Sequence, residues 1–333
     1  MAGRAPDSTL LGQNHLAAHG IDAAIHEPAL TRGGQNRLTW NLRELALPFE
    51  LRDVDVAFTP LANLLPLAAR VAGGPRVVVV NYGLNTTWLR SSPARRRLLS
   101  ISLRAAAAAI ALGRSQRDDM VELMGLDPAR TPVVPIGIDE RFFAPRAVQR
   151  RNTPLVFTIG KDLARDYATF AEAVRGLEAR VEIVSMPRNL EGVELPSNAR
   201  VRSIDYGELR ELYDAAACVV VPQRRDGYPY GSEGGGLTAL LEAMAMAKAV
   251  VATERAILRD YATDGEQAIF VPPDDAGALR SAIERVLADG ALAERLGRAA
   301  RYRVEREFTT RRFAERLAPI LRAAGNESHS SHV

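Results

Sequence analysis

The stretch Gly231-Ser-Glu-Gly-Gly-Gly-Leu-Thr-Ala-Leu-Leu-Glu-Ala-Met-Ala245 runs a polar, glycine-rich loop straight into a strong helix former. Glycines let a backbone approach a ligand closely. The first N–H groups of a helix lack internal partners, and the helix dipole adds positive potential there. Such a helix start is a ready site for a diphosphate. Glu233 precedes the helix and Glu242 falls in its second turn. Carboxylates on either side of such a turn can face one cavity and accept charge-assisted hydrogen bonds from sugar hydroxyls. Taken alone, the stretch also fits a plain glycine loop with a surface glutamate.

A second element is Thr158-Ile-Gly160-Lys161-Asp-Leu-Ala-Arg165-Asp166-Tyr167, which follows an apolar run and precedes a helical pattern. Lys161 and Arg165 project from the carboxyl end of a strand, where ligands sit in open α/β sheets. Two cations there can neutralise a diphosphate leaving group; two solvated loop charges are the other reading. The chain has only two lysines, Lys161 and Lys248. A lysine at a given place is therefore not the default cation of this sequence.

These elements need a scaffold. The chain has 333 residues, 47% hydrophobic and 25% charged, which suits two soluble α/β domains of about 150 residues each. The net charge of +3 is mild and predicts no nucleic-acid partner, which calls for a clustered basic face. The nearest cluster is Arg95-Arg96-Arg97, with Arg90 and Arg104 nearby. It reads as a solvated helix face, or as a patch for an acidic acceptor or a membrane surface. The single cysteine, Cys218, lies in a Val/Ala-rich run and reads as a buried, inert thiol; it permits neither an internal disulfide nor a cysteine metal site. The start of the chain lacks a basic-then-apolar signal pattern, and the most apolar stretch, 98–112, is too short to span a bilayer. A cytoplasmic protein is expected.

Short β-branched runs alternate with helical patterns. Strands are expected at 21–25, 54–58, 76–80, 108–111 and 132–135, then at 155–159, 181–184, 200–203, 218–221, 249–252 and 268–271. Several are apolar throughout, as in parallel strands covered on both faces. Helices are expected at 10–19, 115–123 with Ser115 as cap, 166–177, 207–217, 237–247 and 275–288. The alternation implies doubly wound sheets. The proline- and charge-rich stretch 143–154 reads as a linker between two of them. The opening is odd: the first ten residues hold no strand pattern, so the first strand of the N-terminal domain is missing or supplied in some unusual way.

Five runs in order resemble the retaining glycosyltransferases of family 4 and their GT-B relatives. They are the Gly160 turn with its following helix; Leu209-Arg-Glu-Leu-Tyr213 through Pro222; Leu241-Glu-Ala-Met-Ala-Met-Ala-Lys-Ala-Val-Val-Ala-Thr253; Asp264-Gly265 through Pro272-Pro273; and Val134-Pro135-Ile-Gly137-Ile-Asp139 with Phe143 and Pro145. The resemblance covers roughly residues 108 to 321. It implies a GT-B fold of two Rossmann-like doubly wound domains facing a central cleft: 1–145 for the acceptor, 146–312 for the donor, and 313–325 a helix returning to the N-terminal domain. Residues 326–333, polar and aperiodic, read as a disordered tail.

It also implies the roles. Lys161 and Arg165 contact the donor diphosphate, together with Gly160 and the backbone around Gly235, Gly236 and Leu237, with Thr238. Glu242 holds the ribose, Glu233 faces the donor sugar, and the loop at Ile204-Asp205-Tyr206 holds the base. Tyr82-Gly83 stands where the family often has a histidine–glycine pair, in the sugar and acceptor cleft. The catalytic set is Glu233, Lys161 and Arg165. Three departures stand out. The two glutamates are one residue further apart than usual. The basic pair is lysine then arginine, with Asp166 at the usual lysine position. The glycine-rich turn after a first strand is replaced by nothing clearer than Gly33-Gly34.

The expected reaction moves a sugar, with retention, from a nucleoside diphosphate (UDP favoured) to a hydroxyl of a saccharide, lipid-linked or small natural-product acceptor. No metal or cofactor is expected, since the cations neutralise the leaving group. Histidines 15, 19, 26, 329 and 332 are expected to be structural or solvated. The loops at 81–88 and 226–230 are expected to meet the acceptor. The rival readings are a sugar-nucleotide epimerase or phosphorylase on the same scaffold and a non-catalytic sugar-nucleotide-binding partner subunit.

Overall fold

Apolar runs without alternation become parallel strands buried on both faces, and the computed structural model describes residues 5–26, 37–60, 62–146 and 153–330. Two compact units divide the chain. Unit 1 is Met1–Gly12 with Ile136–Arg312; unit 2 is Gln13–Pro135 with Phe313–Val333. The division therefore falls at Pro135, ahead of the expected linker at 143–154, and residues 147–152 of that linker lie outside the described residues.

Unit 1 is built on a six-stranded parallel sheet. Its strands are β4 (Leu155–Ile159), β5 (Arg180–Val184), β6 (Ala199–Arg202), β7 (Cys218–Val221), β8 (Val250–Thr253) and β9 (Ile269–Val271). Their order is β6-β5-β4-β7-β8-β9. The order reverses between β4 and β7, and the crevice outside the carboxyl ends of two such strands is where open α/β sheets hold ligands. Helices α7 (Tyr167–Val174), α8 (Tyr206–Ala215), α9 (Leu237–Ala245), α10 (Ala276–Ala288) and α11 (Gly290–Glu307) surround the sheet. Cys218 is fully buried, and burial pushes its thiol up to about 12, as expected of an inert core group.

Unit 2 carries a parallel sheet of β1 (Val56–Thr59), β2 (Arg76–Val80) and β3 (Ala108–Ile110), in that order. Its helices are α1 (Gln13–Leu16), α2 (Arg37–Glu50), α3 (Leu65–Ala72), α4 (Leu84–Leu89), α5 (Pro93–Arg104), α6 (Arg114–Met124) and α12 (Thr310–Ser330), the last starting in unit 1. Glu44 on α2 is buried, and its carboxylate accepts from the N–H groups of Asn63, Leu64 and Leu65, which caps α3 from outside.

Several expectations are corrected. Residues 21–25 form no strand; Ile25 is 67% exposed, and an apolar run without a neighbouring ladder gains nothing by extending. Residues 132–135 give only one bridge, Val133 to Ala111, because Pro132 and Pro135 lack the N–H groups a ladder needs. The expected helix 10–19 breaks at Leu11 and Gly12, both at positive φ. Gly113, not Ser115, caps α6. The expected tail from residue 326 is helical to Ser330. Gly33-Gly34 lies outside the described residues.

Candidate functional site

Arg165 stands at the switch point between β4 and β7. The chain leaves β4 at Gly160, loops through Lys161 to Arg165, and bridges to Gln223 just after β7. A side chain at Gly160 would collide with the Arg165 guanidinium, so only glycine fits beneath it. Arg165 is 6% exposed, and its buried Nε and Nη1 have no hydrogen-bond partner among the described residues. Burial pushes the guanidinium below its usual pKa, while Tyr167, Asp162, Tyr213 and Glu242 counter that shift. A buried cation with open N–H groups is a place for an anion. Gln223 stands beside it: its Oε1 accepts from Arg255 at 3.3 Å, and its buried Nε2 has no partner among the described residues.

The glycine loop lies against the same turn. Asp162, between the two cations, accepts from Ala164 N–H at 2.8 Å through one oxygen and from Ser232 N–H at 3.0 Å through the other. It staples the loop after β4 to the loop before α9. Gly236, at φ 93°, ends that loop in a left-handed turn that β-carbon residues rarely adopt, and α9 begins with no side-chain cap. Gly235, Gly236 and Leu237 are buried, and Thr238 is exposed. Gly235 and Leu237 N–H donate within the turn, to the Ser232 and Gly234 carbonyls at 3.0 and 3.2 Å, so of the backbone groups expected to face a phosphate these two are already engaged. No side chain caps the helix start.

Glu242, in the second turn of α9, is buried and accepts from the Tyr213 hydroxyl at 2.8 Å. Burial raises its carboxyl to about 7, although Tyr213 and Arg165 favour the charged form. Tyr213 is fully buried, with its ring edge-on to Phe157 at 5.0 Å, and burial beside Glu242 pushes its phenol well up. Arg165, Tyr213 and Glu242 thus form one electrostatic cluster.

The other residues read as site candidates fall in different places. Lys161 is exposed on the loop. Glu233 is half-buried in the glycine loop. Asp205 accepts from the Glu208 N–H at 2.9 Å in a capping box that starts α8, and Tyr206 packs edge-on to Phe142 at 6.2 Å. They follow β6, the outer strand of the sheet, two strands from β4. Asp166, at the position where a lysine is usual, is a buried cap for α7 and pairs with Arg224 at 3.2 Å. Asp226 is tied down by Arg255 at 2.9 Å, and Tyr228 meets Tyr230 edge-on in the following loop.

Tyr82 and Gly83 belong to unit 2, after β2. The Tyr82 hydroxyl is buried without a partner among the described residues, and burial raises its pKa. Among the described residues no three His, Cys, Asp or Glu side chains gather as a metal group would need. Asp162, Gln223 and Tyr213 carry no mark in the sequence that assigns them to the site. Tyr213 lies in the run from Leu209 to Pro222, but nothing in its spacing shows that its hydroxyl reaches Glu242.

Two Rossmann-like units, each built on a parallel sheet, define the GT-B class of folds. Glycosyl transferases group 1 matches residues 198–303, and Glycosyltransferase Family 4 matches residues 6–142. The chain belongs to the GT-B glycosyltransferases of this group 1/family 4 type. It is 29% identical over 258 residues to alpha-maltose-1-phosphate synthase of Mycobacterium tuberculosis, covering 66% of this chain and 63% of that one. It is 30% identical over 207 residues to D-inositol 3-phosphate glycosyltransferase of Acidothermus cellulolyticus, covering 53% of this chain and 44% of that one. The chain thus spans less than two thirds of these relatives' length. Among solved structures it resembles sucrose-phosphate synthase from Thermosynechococcus elongatus, with TM-score 0.74, 21% identity, and 94% of this chain and 91% of that one covered. It also resembles Anabaena HepE in complex with UDP-glucose, with TM-score 0.71, 12% identity, and coverage of 97% and 98%.

Proposed function

We propose that the chain transfers a sugar from a nucleoside diphosphate, with UDP favoured, to a hydroxyl acceptor, with retention at the anomeric carbon. The observation that carries this is the buried Arg165 guanidinium, just after β4 at the switch point, with two nitrogens unpartnered among the described residues. A diphosphate there accepts from Arg165 and from the uncapped start of α9, and Lys161 adds charge from the loop. Fixed donors of this kind stabilise the charge that grows on the leaving group without reorganising during the reaction. In this reading no metal shares that role, and the departing phosphate takes the acceptor proton. Glu242 accepts from the ribose hydroxyls, and Glu233 faces the donor sugar. Support for UDP comes from HepE, whose structure holds UDP-glucose.

Calorimetric titration of the intact protein with UDP, GDP and dTDP, with and without magnesium, tests the donor half. Binding of one nucleotide, independent of magnesium and weakened by Lys161→Ala and Glu242→Ala, is expected. No binding to any of the three defeats the reading. Once an acceptor is known, NMR of the product's anomeric centre tests retention. The wider spacing of Glu233 and Glu242 favours one second reading, a non-catalytic sugar-nucleotide-binding subunit. Tight nucleotide binding with no turnover of any sugar nucleotide would support it.

A further inference from the structure

The charges of this chain are unevenly placed. From Val56 to Arg117 there are nine arginines and no acidic residue, although the whole chain carries only +3. Helix α5 lies within that stretch and is two-faced. Leu99, Ser102 and Leu103 are buried inward. On the other side Leu98 is 42% and Ile101 43% exposed, and Leu89, at the end of α4, is 43% exposed. Leu98 and Ile101 are three apart and Arg97 and Ile101 four apart, so one helix face presents all three.

The arginines divide by role. Arg96 donates to the carbonyls of Trp88 and Leu89 and stacks on the Trp88 ring, and Arg104 donates to the carbonyls of Met124 and Gly125. These two are pinned, so the triplet at 95–97 is not a uniform solvated patch. Arg95 is half-buried and Arg97 is exposed at the rim of the apolar face.

We infer that the outer face of α5, with the end of α4, rests on a bilayer surface that contains anionic lipid. Exposed aliphatic side chains flanked by arginine suit an acyl boundary under anionic headgroups, where arginine stems lie along apolar surface and their heads meet phosphate. A nucleic acid would be met by aromatic side chains for stacking, and the exposed side chains here are aliphatic. A second copy would bring an equally positive face, with no acidic residue to answer it. The inference is independent of the donor-site reading, which concerns unit 1.

Co-sedimentation of the intact protein with vesicles tests it. Phosphatidylcholine vesicles are compared with vesicles of phosphatidylcholine and phosphatidylglycerol. Binding to the mixed vesicles alone, weakened by salt, is expected. Leu98→Ser with Ile101→Ser keeps the charge and should weaken binding about tenfold or more. Arg95→Ser with Arg97→Ser should weaken it by a similar factor, roughly fivefold per arginine. The changed side chains are exposed or at the rim, so melting temperature and nucleotide affinity should be unchanged, which separates this test from that of the donor site. No binding to mixed vesicles overturns the inference. So does equal binding to both vesicles, binding indifferent to the Leu98 and Ile101 changes, equal affinity for a DNA duplex, or self-association through this face without lipid.

Discussion

Each unit places buried polar groups beyond the carboxyl end of a central strand, but the two treat them differently. After β4 and β7 of unit 1, Arg165 Nε and Nη1 and Gln223 Nε2 are buried and unpartnered. After β2 of unit 2, the polar groups answer one another. Asn81 Oδ1 accepts from Gly83 and Leu84 N–H, its Nδ2 donates to Asn85 at 2.7 Å, and Gln116 both donates to the Asn81 carbonyl and accepts from Leu112 N–H. Asn85 in turn donates to the Gln116 carbonyl and to Asp119. An unmet buried donor costs about 1–3 kcal/mol. Unmet buried donors that sit together at a sheet's switch point are the ones a ligand can satisfy. Unit 1 therefore reads as a binding end and the Asn81 network as scaffold, with the Tyr82 hydroxyl beside that network left unmet among the described residues.

The sharpest way to break this contrast is Arg165→Met. It removes two charge-assisted donors, and UDP affinity should fall about a thousandfold, or about 4 kcal/mol. The melting temperature without nucleotide should not fall, because a buried cation with two unmet N–H groups is also removed. Unchanged affinity in calorimetry would place the anion elsewhere and erase the distinction between the units.

Glu242 gives the next largest effect, and it is visible without ligand. Its carboxyl is raised from 4.5 to about 7 by burial, with Tyr213 and Arg165 facing it. Between those values the native state holds more protons than the unfolded chain, so stability falls as pH rises through that window. The loss is on the order of 3 kcal/mol. Urea unfolding across pH should show this decline in the wild type and a flatter profile in Glu242→Gln. Identical profiles would mean that Glu242 is already ionised in the native state. Nucleotide affinity should move the opposite way, rising with pH as the ribose acceptor gains its charge.

The scaffold side of the comparison is tested by Gln116→Ala. It leaves Leu112 N–H and the Asn81 carbonyl without that side chain, at about 2 kcal/mol of stability measured by urea unfolding. UDP affinity should be unchanged. A loss of affinity equal to that of Arg165→Met would show that the closed network also serves the ligand.

Much of this was legible in the sequence because parallel strands buried on both faces announce themselves as apolar runs. Hence β2, β4 and β7 lie where the pattern put them. The glycines and charges at their ends likewise pointed to Gly160, Arg165, Gly236 and Glu242. Spacing could not show which cation is buried: Lys161 and Arg165 read alike, yet one is exposed and the other sealed beneath the crevice. Asp205 shows the reverse problem. Its glutamate three positions on is the local pattern of a capping box, and that local use claims the carboxylate read as part of a base-holding loop. Asp162 and Gln223 owe their places to contacts between distant loops, which no periodicity encodes.

Tyr213→Phe gives the smallest effect and refines the site most finely. Phenylalanine keeps the ring against Phe157 and removes only the hydroxyl that donates to Glu242 at 2.8 Å. That bond favours the charged carboxylate, so without it the Glu242 pKa should rise further above 7. UDP affinity near neutral pH should drop about fivefold, or about 1 kcal/mol, and recover at higher pH. A purely structural role for Tyr213 would lower the melting temperature and leave the pH midpoint of binding in place. A shift of that midpoint makes Tyr213 a positioning residue, holding Glu242 ready to accept from the ribose.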